Sequence, residues 1–153
     1  MRTVSKLAGV LMLTLVLLSS FTLDNPRKHL LKKWMLDKEW LSQKLDEQIA
    51  ILAKENPEQA EELKAQKELM VTLLGAMTME FKEDGTGITT SVQGEAEFEW
   101  SLSEDGKLLT LKEKGGEEAG DAMPVQISES RLVLGEGDDS IVFVPFQEEE
   151  ETE

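Results

Sequence analysis

Cysteine and tyrosine are absent from this chain, and histidine occurs once, as His29. The lack of thiols excludes disulfide staples, thiolate zinc sites, cysteine nucleophiles and an acylated lipobox cysteine, so the fold must stand on packing and hydrogen bonds. A Ser-His centre or a histidine-bound metal would have to be built around His29 alone. No glycine-rich phosphate loop precedes a helix. The inventory therefore points away from an enzyme: no catalytic residue, no metal and no cofactor is expected.

Basic residues are also scarce. The chain has 16 Lys and Arg against 31 Asp and Glu; only Arg2 and Lys6 precede Phe21, which leaves 14 bases against 31 acids and a net charge of -17 after it. A surface of that sign repels phosphate backbones, so nucleic acid is not expected as a partner. Bases cluster once, at Arg27, Lys28, Lys32 and Lys33. That group reads as solvated chain entering a first strand, with an anionic-partner or membrane-surface patch as the alternative.

Acids are so abundant that a pair of them carries little meaning. Glu95, Glu97 and Glu99 alternate along one segment and read as the wet face of a strand. Glu136, Asp138 and Asp139 sit with Gly135 and Gly137 in a polar turn; their spacing is not that of an EF-hand.

What is present begins with a leader. Arg2 and Lys6 precede an apolar run from Leu7 to Leu18, and small polar Ser19 and Ser20 follow it. Charged start, short apolar middle and small-residue exit are the parts of a secretory signal, so export to a periplasmic or extracellular location is expected. Residues 1–22 form this signal, with cleavage near Ser20 or Thr22. Adding Phe21 to Leu23 makes the run long enough for an uncleaved anchor, the one route into a membrane that the sequence offers.

The remaining length suits one domain, over residues 23–146. His29 to Leu36 reads as a first strand. From Asp37 the apolar positions Leu41, Leu45, Ile49 and Leu52 step by four and three, the spacing of a helix ending near Glu55. Asn56 and Pro57 then mark a second helix start, a side-chain cap followed by the ring that fits the first helical position. Its stripe is Leu63, Met70, Leu74 and Met77, with Leu73 beside it. The two helices should form an antiparallel hairpin over residues 37–76.

After Gly75 the rhythm becomes two-residue alternation. Met77 to Phe81, Ile88 to Val92, Ala96 to Leu102, Leu109 with Leu111, Val125 with Ile127, Leu132 with Leu134, and Ile141 to Phe146 are strands. With the Trp34 segment they number eight. Links such as Asp84-Gly85 and Asp105-Gly106 are too short for parallel crossovers, so neighbours are antiparallel. The expected fold is mainly β, α+β overall: a small up-and-down antiparallel β-barrel, or a strongly curved meander sheet, with a two-helix hairpin inserted between strands 1 and 2. Residues 147–153 are an acidic tail with nothing to bury, expected to be disordered.

The succession LLKKWMLD, a helical insertion, MEFKEDGTG, FEWSLSEDGKLLTL, a loop, VQISESRLVL and IVFVPF resembles the exported lipocalin-like domain proteins of bacteria, over about Leu30 to Phe146. Two features depart from that pattern: Lys32 stands where lipocalins proper carry glycine two places before the first-strand tryptophan, and no anchoring cysteine follows the leader. The resemblance implies a capacity for a small apolar ligand. Trp34, Phe81, Phe98, Trp100, Leu111, Ile127 and Leu134 would line such a barrel, or simply fill it. The competing expectation is an envelope protein-interaction or structural module that uses the hairpin as its contact surface, helped by Trp40 and Leu73 off the main stripes.

Overall fold

The computed structural model describes residues 25–118 and 120–148. The predicted leader and residues 149–153 of the predicted tail lie outside them. The elements in chain order are α1 (Pro26–Leu30), β1 (Lys33–Leu36), α2 (Lys38–Glu55), α3 (Pro57–Gly75), β2 (Thr78–Phe81), β3 (Thr86–Ser91), β4 (Gly94–Leu102), β5 (Leu108–Glu113), β6 (Ala122–Ile127), β7 (Leu132–Leu134) and β8 (Ile141–Pro145).

Of the two architectures the alternation allowed, the closed one is observed. Each strand pairs antiparallel with the next, and β1 pairs with β8 through Trp34–Pro145, Met35–Val144 and Leu36–Phe143. The predicted eight-strand, up-and-down meander is thus a barrel, with the α2–α3 hairpin between its first two strands. Eight strands enclose a space that side chains can fill. Trp34, Leu109, Leu132 and Phe143 are fully buried inside it. Phe81 meets Phe98 and Trp100 edge-on, with ring centroids 5.4 and 5.6 Å away.

Two places in the wall show how the sequence permits this packing. At Gly87, which pairs with Phe81 on one side and Phe98 on the other, any Cβ would collide with the Phe98 ring and the Glu80 carbonyl. At the tips of β2–β3 and β4–β5, Gly85 and Gly106 adopt φ of 83° and 70°, the left-handed region open to glycine. Beside each glycine an aspartate folds onto the turn. Asp84 accepts from the Thr86 amide (2.9 Å) and hydroxyl (2.6 Å), and Asp105 from the Lys107 amide (3.1 Å) and Ser103 hydroxyl (2.6 Å).

One expectation needs correction. The segment read as a strand from His29 is a helix as far as Leu30, and β1 starts only at Lys33. The reason is a second Asn-Pro start signal. The Asn25 side chain accepts from the Arg27 amide, and Pro26 takes the first helical position. The same chemistry at Asn56 and Pro57, where the Asn56 side chain accepts from Gln59, opens α3 as expected.

Candidate functional site

A barrel has two mouths, and these two are closed to different degrees. The first is flanked by the start of β1, the end of β8 and the turns β2–β3, β4–β5 and β6–β7. The short helix α1 lies against this end. Its Leu30 is fully buried, and the Leu30 carbonyl accepts the Trp34 indole N–H at 3.0 Å. Pro26 rests on Gly106, and the Arg27 guanidinium donates to the Glu83 carbonyl while standing 4.7 Å from the centre of the Trp100 ring.

The basic cluster belongs to this closure. Lys32 donates to the Glu129 carbonyl at 2.9 Å and stands 5.2 Å from the Trp34 ring centre; Lys33 stands 4.4 Å from that of Phe146. Arg27, Lys28 and Lys33 are exposed, as a solvated lead-in would be, but Arg27, Lys32 and Lys33 also make specific contacts. They are cations laid on aromatic faces and carbonyls, a use that a count of charges along the chain could not reveal. His29 is half-buried on the same helix.

The opposite mouth carries the hairpin. Leu41 and Leu45 of α2 enter the barrel core from above, and Trp40, half-buried, packs against the same core. Trp40 is thus not part of an exposed patch. Lys44 reaches Asp138 in the β7–β8 loop at 3.8 Å. This cover is partial. By register Thr89, Ala96, Leu111, Met123 and Ile141 continue the inward-facing rows of Gly87, Phe98, Leu109, Val125 and Phe143. Yet Thr89, Leu111 and Met123 are half-buried, and Ala96 and Ile141 exposed. A surface groove of about 370 Å³ runs beneath the β5–β6 loop, with Leu111, Glu113 and Gly120 among its lining residues.

Apolar exposure is concentrated at this end. Ile51, Leu69, Leu73 and Leu74 on the hairpin, Val92 at the β3–β4 tip and Ile141 at the start of β8 are large exposed hydrophobics among the described residues. At the α1 end they are Leu108 and Phe146, and Phe146 is covered by Lys33. The loops around the hairpin mouth, residues 91–95, 113–121 and 135–140, carry Lys114 as their one base against many acids.

All seven predicted lining residues sit on inward-facing rows of the barrel. Trp34, Phe81, Phe98, Trp100 and Leu134 are buried, while Leu111 and Ile127 are half-buried. The last two border grooves: Leu111 the one just described, and Ile127 one of about 460 Å³ at the β6–β7 hairpin with Gln126, Ser128, Arg131 and Val133. Sequence reasoning missed Thr89, Ala96, Met123 and Ile141 at the open mouth. Alternation marked their faces, but not where along each strand the interior ends.

The acids that the sequence singled out are exposed. Glu95, Glu97 and Glu99 are exposed on the outer wall; Glu97 pairs with Lys114 and Glu99 with Lys112 at 3.9 Å. The hydrogen bond from Lys114, reinforced by its charge, holds the Glu97 carboxyl below its usual range and raises Lys114 in turn. Glu136, Asp138 and Asp139 occupy a short 3-10 turn at Gly137–Asp139 and its approach. Among the described residues no three histidine or carboxylate side chains converge as a metal site would require.

No family model matches the sequence, and no curated protein matches it. Among solved structures, the fold is similar to the crystal structure of a DUF4847 family protein from Bacteroides vulgatus ATCC 8482. The TM-score is 0.54 at 15% identity, covering 78% of this chain and 96% of that one. At that identity the likeness concerns the barrel fold.

Proposed function

We propose that this chain is an exported, lipocalin-like, non-enzymatic binding module whose working end is the hairpin mouth, and that it holds a small apolar molecule there. The observation that carries the reading is the inequality of the two ends. One is capped by Leu30 and α1 with Ile127 half-covered beside them, whereas the other leaves Leu111, Met123, Ala96 and Ile141 facing inward without full cover. The ligand would lie on these residues and reach down toward Phe98. The deeper Trp34, Phe81, Trp100 and Leu134 serve as a packed floor. A small-molecule site is ordinarily concave and mostly apolar with a few polar groups, and the groove beside Leu111 adds Lys112, Glu113, Glu117 and Glu118 to the apolar rows.

Mass spectrometry of the purified protein should find a copurifying apolar compound, or the emptied protein should bind Nile red saturably. Leu111→Gln should weaken Nile red binding about 10-fold, the scale of one lost apolar contact. No copurifying compound together with no saturable dye binding would end this reading.

A second reading, a protein-contact module, is favoured by Leu69 and Leu73, which are 60% and 42% exposed on α3.

A further inference from the structure

Helix α3 has two faces, and among the described residues only one of them has a partner. Positions 60, 63, 67 and 70 share one side by helical spacing. There Ala60 is buried, Leu63 and Met70 pack against the core, and Lys67 bonds Asp46 of α2 at 2.6 Å. Residues 58, 62, 65, 69 and 73 share a second side, whose C-terminal edge at Leu73 borders Met70. That side reads Glu58, Glu62, Ala65, Leu69 and Leu73, and every one of these residues is exposed. Acid occupies the N-terminal end of the strip and leucine the C-terminal end, with the small Ala65 between them.

Neither end is neutralised by its surroundings. Residues 37–77 carry Lys38, Lys44, Lys54, Lys64 and Lys67 against nine acids. Lys44, Lys64 and Lys67 are committed to Glu47, Glu61 and Asp46, and the Lys38 stem lies against Gly75. Glu58 takes part in no ion pair among the described residues, and Glu62 accepts only a 3.5 Å bond from Gln66. In a helix of 19 residues, Ala60 and Gly75 are the buried ones. Helices of this length draw most of their stability from packing on an apolar face, so a strip carrying two leucines four residues apart is suited to further cover.

We infer that this strip is a docking surface for a basic amphipathic helix of a partner protein, with Leu69 and Leu73 receiving its apolar side and Glu58 and Glu62 its lysines or arginines. Charge selects this occupant. A second copy of the chain would bring the same excess of acid over base along the hairpin, and a lipid surface would meet the same repulsion at any anionic headgroup. Recognition is of the helix-on-face kind, read by residues at i, i+4, i+7 and i+11. The inference does not depend on a ligand in the barrel mouth.

The test uses a synthetic helix with leucines at heptad spacing and lysines elsewhere, and the same peptide with glutamates for lysines. Calorimetric titration of the purified protein should show saturable binding of the lysine peptide, weakening with salt, and none of the glutamate peptide. Leu69→Gln with Leu73→Gln should lower the affinity about 10-fold or more. Glu58→Gln with Glu62→Gln should lower it and flatten the salt dependence. Val92→Gln, which removes an exposed apolar side chain elsewhere at the same end, should change nothing. All five positions are exposed, and circular dichroism should report the same fold for every variant. The inference is overturned if the lysine peptide fails to bind, or if the leucine variant binds it as well as the parent, since general acidity would then explain the attraction. It is equally overturned if sedimentation shows a dimer that the leucine variant dissolves.

Discussion

The two ends of the barrel solve the same problem with different residues. Both must end a stack of inward-facing apolar side chains without leaving it wet. At the α1 end a five-residue helix, Pro26–Leu30, suffices because it is held at many points: an asparagine cap, the Trp34 indole, the Glu83 carbonyl and the Trp100 ring. At the other end the α2 and α3 helices span 18 and 19 residues, yet their deepest reach is Leu41 and Leu45. A large insertion that buries little of itself is a poor stopper, and the difference teaches that the hairpin is better understood as something presented than as a lid. Position in the fold, more than hydrophobicity, then decides what each leucine does.

The sharpest way to break this comparison is to exchange its stakes. Leu30→Ala should destabilise the protein by about 2–5 kcal/mol in urea unfolding, since it empties a fully buried site between α1 and the barrel. Leu73→Ala should stay within about 0.5 kcal/mol of the parent, as surface substitutions do. Equal losses at the two leucines would show that the hairpin is as much a part of the core as α1.

A smaller effect separates the two caps. Asn25 and Asn56 have the same role ahead of a proline. Asn25→Ala and Asn56→Ala should each cost about 1 kcal/mol of local helix stability. Hydrogen exchange should then differ. Loss of the Asn25 cap should speed exchange at Trp34 and its β1 neighbours, because α1 is tied to the barrel, whereas loss of the Asn56 cap should act within the hairpin. Exchange at β1 that responds equally to both caps would erase the contrast between the ends.

Most of the wall was legible because alternation and Asp-Gly turns report local geometry. Ala96, Phe98, Trp100 and Leu102 announce a strand without help from the rest of the chain. The α1 end was not legible, for a physical reason. Asn25-Pro26 is the same start signal as Asn56-Pro57, but the helix it opens is too short to show periodicity, and its stability comes from Trp34, Gly106 and Glu83, which are remote in sequence. The open mouth was hidden for a related reason. Leu109 and Leu111 lie on one row of one strand, and nothing local says that the first is buried and the second half-covered. On α3 the signal was in the sequence: Leu69 and Leu73 are four apart, about a quarter turn around the helix from Leu63 and Met70. They require the helix to be read as two stripes, one of them without a partner among the described residues.

The finest contrast is electrostatic, and acid exposes it. Asp84 is held below the usual carboxylate range by the Thr86 hydroxyl and amide, and Asp105 by the Ser103 hydroxyl and the Lys107 amide. Both lie in turns at the α1 end. Because their folded values are depressed, each contributes stability that is fully present above the unfolded value, near 3.9, and lost as pH falls through the folded one. Glu97, on the outer wall, is depressed chiefly by Lys114, a charged donor. Carbon-detected NMR titration should therefore place Asp84 and Asp105 below an ordinary aspartate at both low and high salt, since their partners are mainly hydroxyl and amide donors. Raising the salt should move the Glu97 midpoint up toward its normal value, because screening acts on the lysine's charge. Midpoints for Asp84 and Asp105 that climb with salt as Glu97's does would mean that their turns are held by charge, and the closure of the α1 end would then rest on ion pairs instead of on the hydrogen bonds that fold each aspartate over its glycine.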